Sequence, residues 1–471
     1  MFAPSKLQVL DAILRSDFSA FVEKCFTELN SGTPYRRNWH IEAIACQLER
    51  CMRGENKRLI ITVPPRSLKS LCASVAFPAF LLGHSPHQRL INLSYSQELG
   101  TKLSAGFRQV VKTDWYKRIF PAMGAARDTE AEFETTRGGG RAAISIGSSL
   151  TGRGANFIVI DDPMKADEAS SRSARDRVND YYKTTLFSRL DDKQLGVIIL
   201  VMQRLHEDDL AGQLLKQPGW FHLNLPAIAT TKQEIQLSPT RWRIRKEGDV
   251  LHPEREPRHV LDRIRHEIGT IPFEAQYQQA PIPTTGNIIR RDWLRYHNIE
   301  PSSQSGSGTY LVQSWDTAMK GEQIHDFSVC STWLKKDGNH YLIDLVRQRC
   351  EYPKLLHLVL ALHKRYKPDT VLIEDHGVGT ALIQALRSNH QIRSIPIKPE
   401  SDKETRLATA SIYFEQGSVY FPKKAEWLVE LENELLRFPQ VQFDDQVDSV
   451  SQYLNWDRVR VKPKFEWEWM Y

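Results

Sequence analysis

Three short stretches constrain the fold of this chain more than anything else in it: Arg58–Val63 (RLIITV), Phe157–Asp161 (FIVID) and Gly196–Met202 (GVIILVM) are almost unbroken apolar runs. A strand with one wet face alternates apolar and polar residues, whereas an unbroken run must bury both faces, as a parallel sheet covered by helices requires. Leu90–Ser94 is a further strand of this kind. Lys69–Leu82 and Ser96–Lys112 have the length and spacing of helices between strands. The alternation predicts a doubly wound α/β domain, preceded by helical spacing over residues 7–30.

A second program starts at Tyr310. Strands are predicted at Leu311–Asp316, Phe327–Leu334 and Tyr341–Val346, then a helix (Pro353–Tyr366), a strand (Thr370–Glu374), a helix (Thr380–Arg387) and a short strand near Ile395–Ile397. The remainder reads as mostly helical. Three meandering strands followed by alternating helix and strand is the RNase H order. Between the two programs, residues 228–309 are rich in Arg, Pro and isolated Trp and end in a Ser/Gly run at 302–308, where a domain boundary is expected.

Composition excludes some classes. With 41% apolar and 25% charged residues the chain is that of a globular protein, and no run approaches the ~20 apolar residues that span a bilayer. The first residues lack the basic-then-apolar layout of a signal peptide, so the cytosol is the expected compartment and no membrane is expected as partner. The six cysteines form no C-x-x-C pair and read as buried thiols. A net charge of +6 permits nucleic-acid binding without requiring it.

Chemistry enters with Val63-Pro64-Pro65-Arg66-Ser67-Leu68-Lys69-Ser70, between a strand and a helix. A phosphate loop needs inward N–H groups, a lysine for the β- and γ-phosphates and a hydroxyl for magnesium. Lys69 and Ser70 supply the last two, although Val63 and Leu68 stand where glycines are expected. Downstream, the FIVID strand ends in Asp161 and Asp162. That is the arrangement that sets one acid in a magnesium shell and the next beside an attacking water. Together these predict an ATP and Mg2+ site.

The second program carries acids at corresponding places. Asp316 ends its first strand, Glu374 ends its fourth, and Asp445 and Asp448 open its last helix on one face. Two-metal phosphodiester cleavage needs carboxylates converging on ions roughly 3.5–4 Å apart, and Mg2+ or Mn2+ prefers such oxygens. The first and fourth strands of an RNase H sheet are neighbours, so Asp316 and Glu374 are expected to meet.

Trp39-His40, PPRSLKS, TGRGANFIVIDDP, MQRLHEDDLAG, WDTAMKG, VLIEDHGVGTALIQ and DDQVDSVSQYL, in this order over about residues 35 to 456, resemble the large terminase subunit of tailed phages and prophages. The resemblance implies an α/β chain: a helical segment at 1–57, a P-loop NTPase core with a mainly parallel sheet at 58–228, a subdomain or linker at 229–309, and an RNase H-like nuclease domain at 310–471. It implies ATP-driven translocation of double-stranded DNA into a capsid and metal-dependent cutting of concatemers. The implied partners are a portal protein, a small terminase subunit and further copies in a ring, in the cytoplasm of a bacterial host.

Position by position, Trp39 and His40 would lie near adenine, with Arg66, Ser67, Lys69 and Ser70 on the phosphates. Asp161 would hold magnesium and Asp162 would orient water. Arg153 would be an arginine finger and Gln203-Arg204 the coupling element, with a surface salt bridge as the alternative for each arginine. Asp316, Glu374 and Asp445 or Asp448 would bind nuclease metals, with Asp326 and Asp375 secondary. Lys403 and Arg406 would either contact phosphate or form a solvated helix face. The family often has histidine where Phe443 stands. Rival classes are another ATP-coupled DNA enzyme (helicase-nuclease or recombinase) and a catalytically weakened packaging component.

Overall fold

The computed structural model describes residues 5–150, 152–169, 171–282, 288–299, 309–317, 327–389, 392–399, 401–441 and 443–460. The chain divides into two compact units, between Ile282 and Pro283.

The first unit is built on eight strands: β1 (Arg58–Thr62), β2 (Arg89–Ser94), β3 (Ala125–Asp128), β4 (Glu132–Thr135), β5 (Gly140–Ser145), β6 (Phe157–Asp161), β7 (Val197–Met202) and β8 (Phe221–Asn224). Their order is β3-β4-β5-β2-β6-β7-β1-β8. From β5 to β8 every pairing is parallel, and only β4 runs against its neighbours, β3 and β5, at one edge. The mainly parallel sheet is therefore as the apolar runs require.

The reason is visible in the two cores on its faces. On one side lie Leu59, Ile61, Val159, Ile199 and Val201. On the other lie Ile60, Ile158, Ile160, Ile198 and Leu200. Successive residues of each strand go to opposite faces, and each such side chain contributes about 1.5–3 kcal/mol when fully buried. A polar residue inside Phe157–Ile160 or Val197–Met202 would have nowhere wet to point.

The N-terminal helical stretch is two helices, Lys6–Ser16 and Phe18–Leu29. They break at Asp17, whose carboxylate accepts from Ala20 N at 3.0 Å and caps the second. Residues 229–282 form an antiparallel hairpin, β9 (Gln233–Gln236) with β10 (Trp242–Arg245), and two helices, Arg258–Ile268 and Thr270–Gln276. Leu261 and Phe273 give these a small core of their own with Ala227.

The second unit holds β11 (Arg295–His297), β12 (Thr309–Asp316), β13 (Ser328–Lys336), β14 (Asn339–Gln348), β15 (Thr370–Glu374), β16 (Ser394–Ile397) and β17 (Val419–Pro422), in the order β11-β17-β14-β13-β12-β15-β16. The meander β12-β13-β14 is antiparallel, and β15 lies parallel to β12, which is the RNase H order. Two short strands, β11 and β17, extend the sheet where only helices and linker were expected. Three and four residues are too few to show a period.

Candidate active sites

At the carboxyl ends of β1 and β6, the edge where open α/β sheets bind ligands, the first unit gathers most of its expected residues. The helix after the loop starts at Lys69, passes through a π-helical stretch, Leu71–Ala76, and continues as Phe77–His84. Ser70 Oγ donates to Asp161 Oδ1 at 2.9 Å, and Ser74 Oγ donates to Oδ2 at 2.7 Å. Asp161 is completely buried. Burial, then the neighbouring Asp162 charge, pushes its pKa up to about 6, against the opposing pull of Lys69 and the two hydroxyls. Lys69, also buried, pairs with Asp162 Oδ2 at 2.9 Å.

The loop's departure from glycine has a conformational cost. Arg66 and Leu68 both sit in the left-handed region, with φ of 59° and 57°. Leu68 therefore adopts the backbone a glycine would take freely, at a strain of about 1–2 kcal/mol. From outside, Arg255 donates to the carbonyls of Arg66 and, at 3.4 Å, Pro65. Nothing in the residues around Arg255 signalled that the 229–282 segment would reach back to the loop.

Trp39 and His40 are adjacent in sequence but differ in setting. His40 is buried, with its Nδ1 2.7 Å from Asn38 Nδ2. Burial, then His252, pushes its pKa down to about 3, although the Ser67 backbone lies near enough to oppose this. His40 thus stands neutral beside the loop. The Trp39 ring is covered by the guanidiniums of Arg243 and Arg245, 5.2 and 5.7 Å from its centroid.

Asp162 takes φ 42° and accepts from Gln203 N at 3.2 Å. The next residue, Arg204, donates its backbone N–H to Gln279 Oε1 at 2.9 Å. Its side chain is committed elsewhere: Nε lies 3.0 Å from both Asp209 oxygens in a buried ion pair, not a surface one. Arg153 is exposed and paired with Glu132 at 2.5 Å.

In the second unit, Asp316 and Glu374 end the paired strands β12 and β15, one step past the Trp315–Ile373 register. Gly379 lets the next helix begin against them, since a Cβ there would lie 2.0 Å from Glu374 O. The closing helix, Asp445–Arg460, is stapled to the sheet by small hydroxyls. Ser314 Oγ and Ser449 Oγ each donate to the other's carbonyl at 2.8 Å, and Ser331 Oγ lies 2.7 Å from Ser449 Oγ. Buried Glu434 caps its start, accepting from Gln446 N at 2.8 Å and Val447 N at 3.0 Å.

This brings the acids together. Burial, then the charges of Asp448 and Glu374, push the Asp316 pKa well up, with Asp445 contributing less. Asp448 is buried and held by Arg406 Nη2 and Lys403 Nζ, both at 2.6 Å, and Lys403 also reaches Asp444 at 2.6 Å. Arg406 lies 3.8 Å from Glu374. Lys403, part-exposed, and Arg406, largely buried, are thus paired with the acid cluster as its counter-charge. Asp445 faces Arg347 at 3.4 Å instead. Asp375 accepts from Thr380 Oγ1 at 2.9 Å, and Asp326 lies outside the described residues.

Among the described residues no three acids, histidines or cysteines already close into a metal cage. The donor chemistry nevertheless suits a hard divalent cation: buried carboxylates repel one another, and two cations now offset that repulsion.

One chain thus carries a P-loop-type site on a mainly parallel sheet and an acid cluster on an RNase H-like sheet, the architecture of an ATPase fold joined to a nuclease fold. Residues 313–456 match the family model described as the terminase RNaseH-like domain. The large terminase of a thermophilic bacteriophage, solved in complex with ADP, aligns with 87% of this chain and 98% of its own at a TM-score of 0.50 and 10% identity. At that identity the likeness shows the fold. The HK97 large terminase (TM-score 0.39, 11% identity, 93% and 99% covered) and the magnesium-bound large terminase nuclease of phage G20c (0.30, 18%, 37% and 98%) also match. No curated protein matches. The resemblance to large terminase subunits read from the motifs is borne out. No helix among the described residues is long and apolar enough to cross a membrane.

Proposed function

We propose that this chain is the large subunit of a DNA-packaging terminase, coupling ATP hydrolysis to translocation of double-stranded DNA and cutting concatemers with a metal-dependent nuclease. The observation that carries the reading is the coexistence, on one chain, of the Lys69–Ser70–Asp161–Asp162 cluster and the Asp316–Glu374–Asp448 cluster.

In the first site, loop N–H groups around Arg66 and Ser67, with Lys69, bind the ATP phosphates. Ser70 and Asp161 would hold magnesium, which would supply positive charge to offset that of the phosphates. Asp162 orients the attacking water, and Arg153 leaves its exposed pair with Glu132 to reach a neighbouring copy's nucleotide. Trp39 and His40 form the base side, as the resemblance implies. The coupling role of Gln203 and Arg204 is best placed in their backbone. Consecutive N–H groups tie Asp162 to Gln279, while the Arg204 side chain is occupied by Asp209.

In the second site, Asp316, Glu374 and Asp448 hold Mg2+ or Mn2+, with Asp445 at the rim. Bound there, such ions would supply the Lewis acidity that phosphodiester hydrolysis needs. Asp448 is favoured over Asp445 as main ligand because it is buried and shares Arg406 with Glu374, whereas Asp445 faces Arg347. The portal, a small terminase subunit and a ring of copies in the host cytoplasm complete the proposed machine.

ATP hydrolysis measured with DNA, portal and small subunit present tests the motor. Wild type should turn over and Asp162→Asn should not; equal inactivity of both defeats the motor reading.

A further inference from the structure

Phe443, where the family often has histidine, immediately precedes Asp444 and Asp445 at the opening of the closing helix. Its ring meets Phe327 edge-on, with centroids 5.4 Å apart at 86°. The β13–β14 register pairs Ser328 with Gln348, so Phe327 stands opposite Arg349 one step further on. Arg347 and Arg349 share a face of that strand end. Their guanidiniums lie 3.8 and 4.1 Å from the Phe327 centroid, and 5.2 and 5.7 Å from that of Phe443.

The two arginines are not equivalent. Arg347 is half-buried and its charge is met by Glu430 and by Asp445 at 3.4 Å. Arg349 is exposed, and among the described residues no carboxylate stands within ion-pairing distance of it. A guanidinium resting on an aromatic ring is pre-ordered and keeps its N–H edge free, which suits a planar or tetrahedral oxyanion. Lys403 and Arg406 are engaged by the carboxylates of the cluster, so a strand brought there is best held by a further cation close by.

We propose that Arg349, seated on the Phe327–Phe443 platform, grips a backbone phosphate of duplex DNA beside the acid cluster, with Arg347 tying the platform to Asp445. This rests on the nuclease reading above and adds the DNA-holding element to it. The occupant is DNA backbone of any sequence, because nothing in the platform offers a base-reading group.

The test is the salt dependence of duplex binding by the full chain carrying Asp316→Ala, which cannot cut. Adding Arg349→Ala should weaken binding several-fold, equally on unrelated sequences, and flatten the slope of log K against log salt by about 0.9. Arg349→Lys should restore the slope while leaving affinity below that of the Asp316→Ala parent. Phe327→Leu should weaken binding with the slope retained. Unchanged slope and affinity in Arg349→Ala overturns this inference alone, provided the parent binds duplex and wild type cuts it. Failure of the parent to bind duplex at low salt overturns both the inference and the nuclease reading.

Discussion

Lys69 Nζ lies 2.9 Å from Asp162 Oδ2, so the lysine of the phosphate loop and the second acid of the β6 end neutralise one another. In the absence of nucleotide this pair keeps a buried ammonium from standing uncompensated. On the proposed function, a bound polyphosphate would offer the lysine a stronger anion and free the carboxylate to meet water. Asp162→Asn should therefore bind Mg-ATP at least as tightly as wild type while losing roughly 100-fold or more in turnover. Fluorescent-nucleotide binding beside a phosphate-release assay separates the two, and loss of binding would contradict this role for the pair.

Ser74 holds the other half of the site. Its hydroxyl is one of two that donate to Asp161, and its carbonyl accepts from the buried Arg141 at 3.3 Å. A hydrogen bond to a charged group contributes about 1.5–3 kcal/mol, so Ser74→Ala should lower turnover by at least about tenfold. It should also raise the magnesium concentration needed for half-maximal rate. An unchanged magnesium titration would show that Ser70 alone positions the acid.

Leu68 is strained at φ 57° and still packs against the core. Leu68→Gly removes the strain in the folded loop and gives up some packing and chain stiffness. Mg-ATP should bind several-fold tighter by calorimetry, with Tm little changed. Weaker binding would mean that the leucine side chain itself shapes the loop.

Glu434 gives a pH signature. Burial raises its pKa from the ordinary 4.5 to about 7, in spite of the N–H groups it accepts from. Between those values the folded chain keeps a proton that the unfolded chain has released, so this group makes stability fall as pH rises from 4.5 to 7. Glu434→Gln stays neutral throughout. Its urea midpoint relative to wild type should therefore climb across that window, and parallel curves would contradict the assignment.

What could be read in advance followed the physics of each element. FIVID and VIILVM declared a doubly covered sheet because burial on both faces leaves no polar position, and strand-end acids declared themselves as Asp161, Asp316 and Glu374. Ser74 was findable, since it lies one helical turn beyond Ser70. Arg255 was not, and Arg406, legible as a phosphate contact or a solvated face, gave no sign of its partner: each reaches across 189 or 42 residues of chain, to Arg66 and Asp448, and no local period records such a meeting. Arg204 reads as a coupling arginine by position, yet its side chain closes a local turn onto Asp209 five residues on. The serines that staple the closing helix to β12 and β13 look like ordinary polar residues until the sheet lies under them.

The central claim is that the acid cluster of the second unit is a metal-dependent nuclease on the same chain as the ATP site. Plasmid cleavage with manganese measures it most directly, comparing wild type, Asp316→Ala and Asp162→Asn. Wild type and Asp162→Asn should degrade the plasmid while Asp316→Ala leaves it intact. Undiminished cutting by Asp316→Ala would contradict the account.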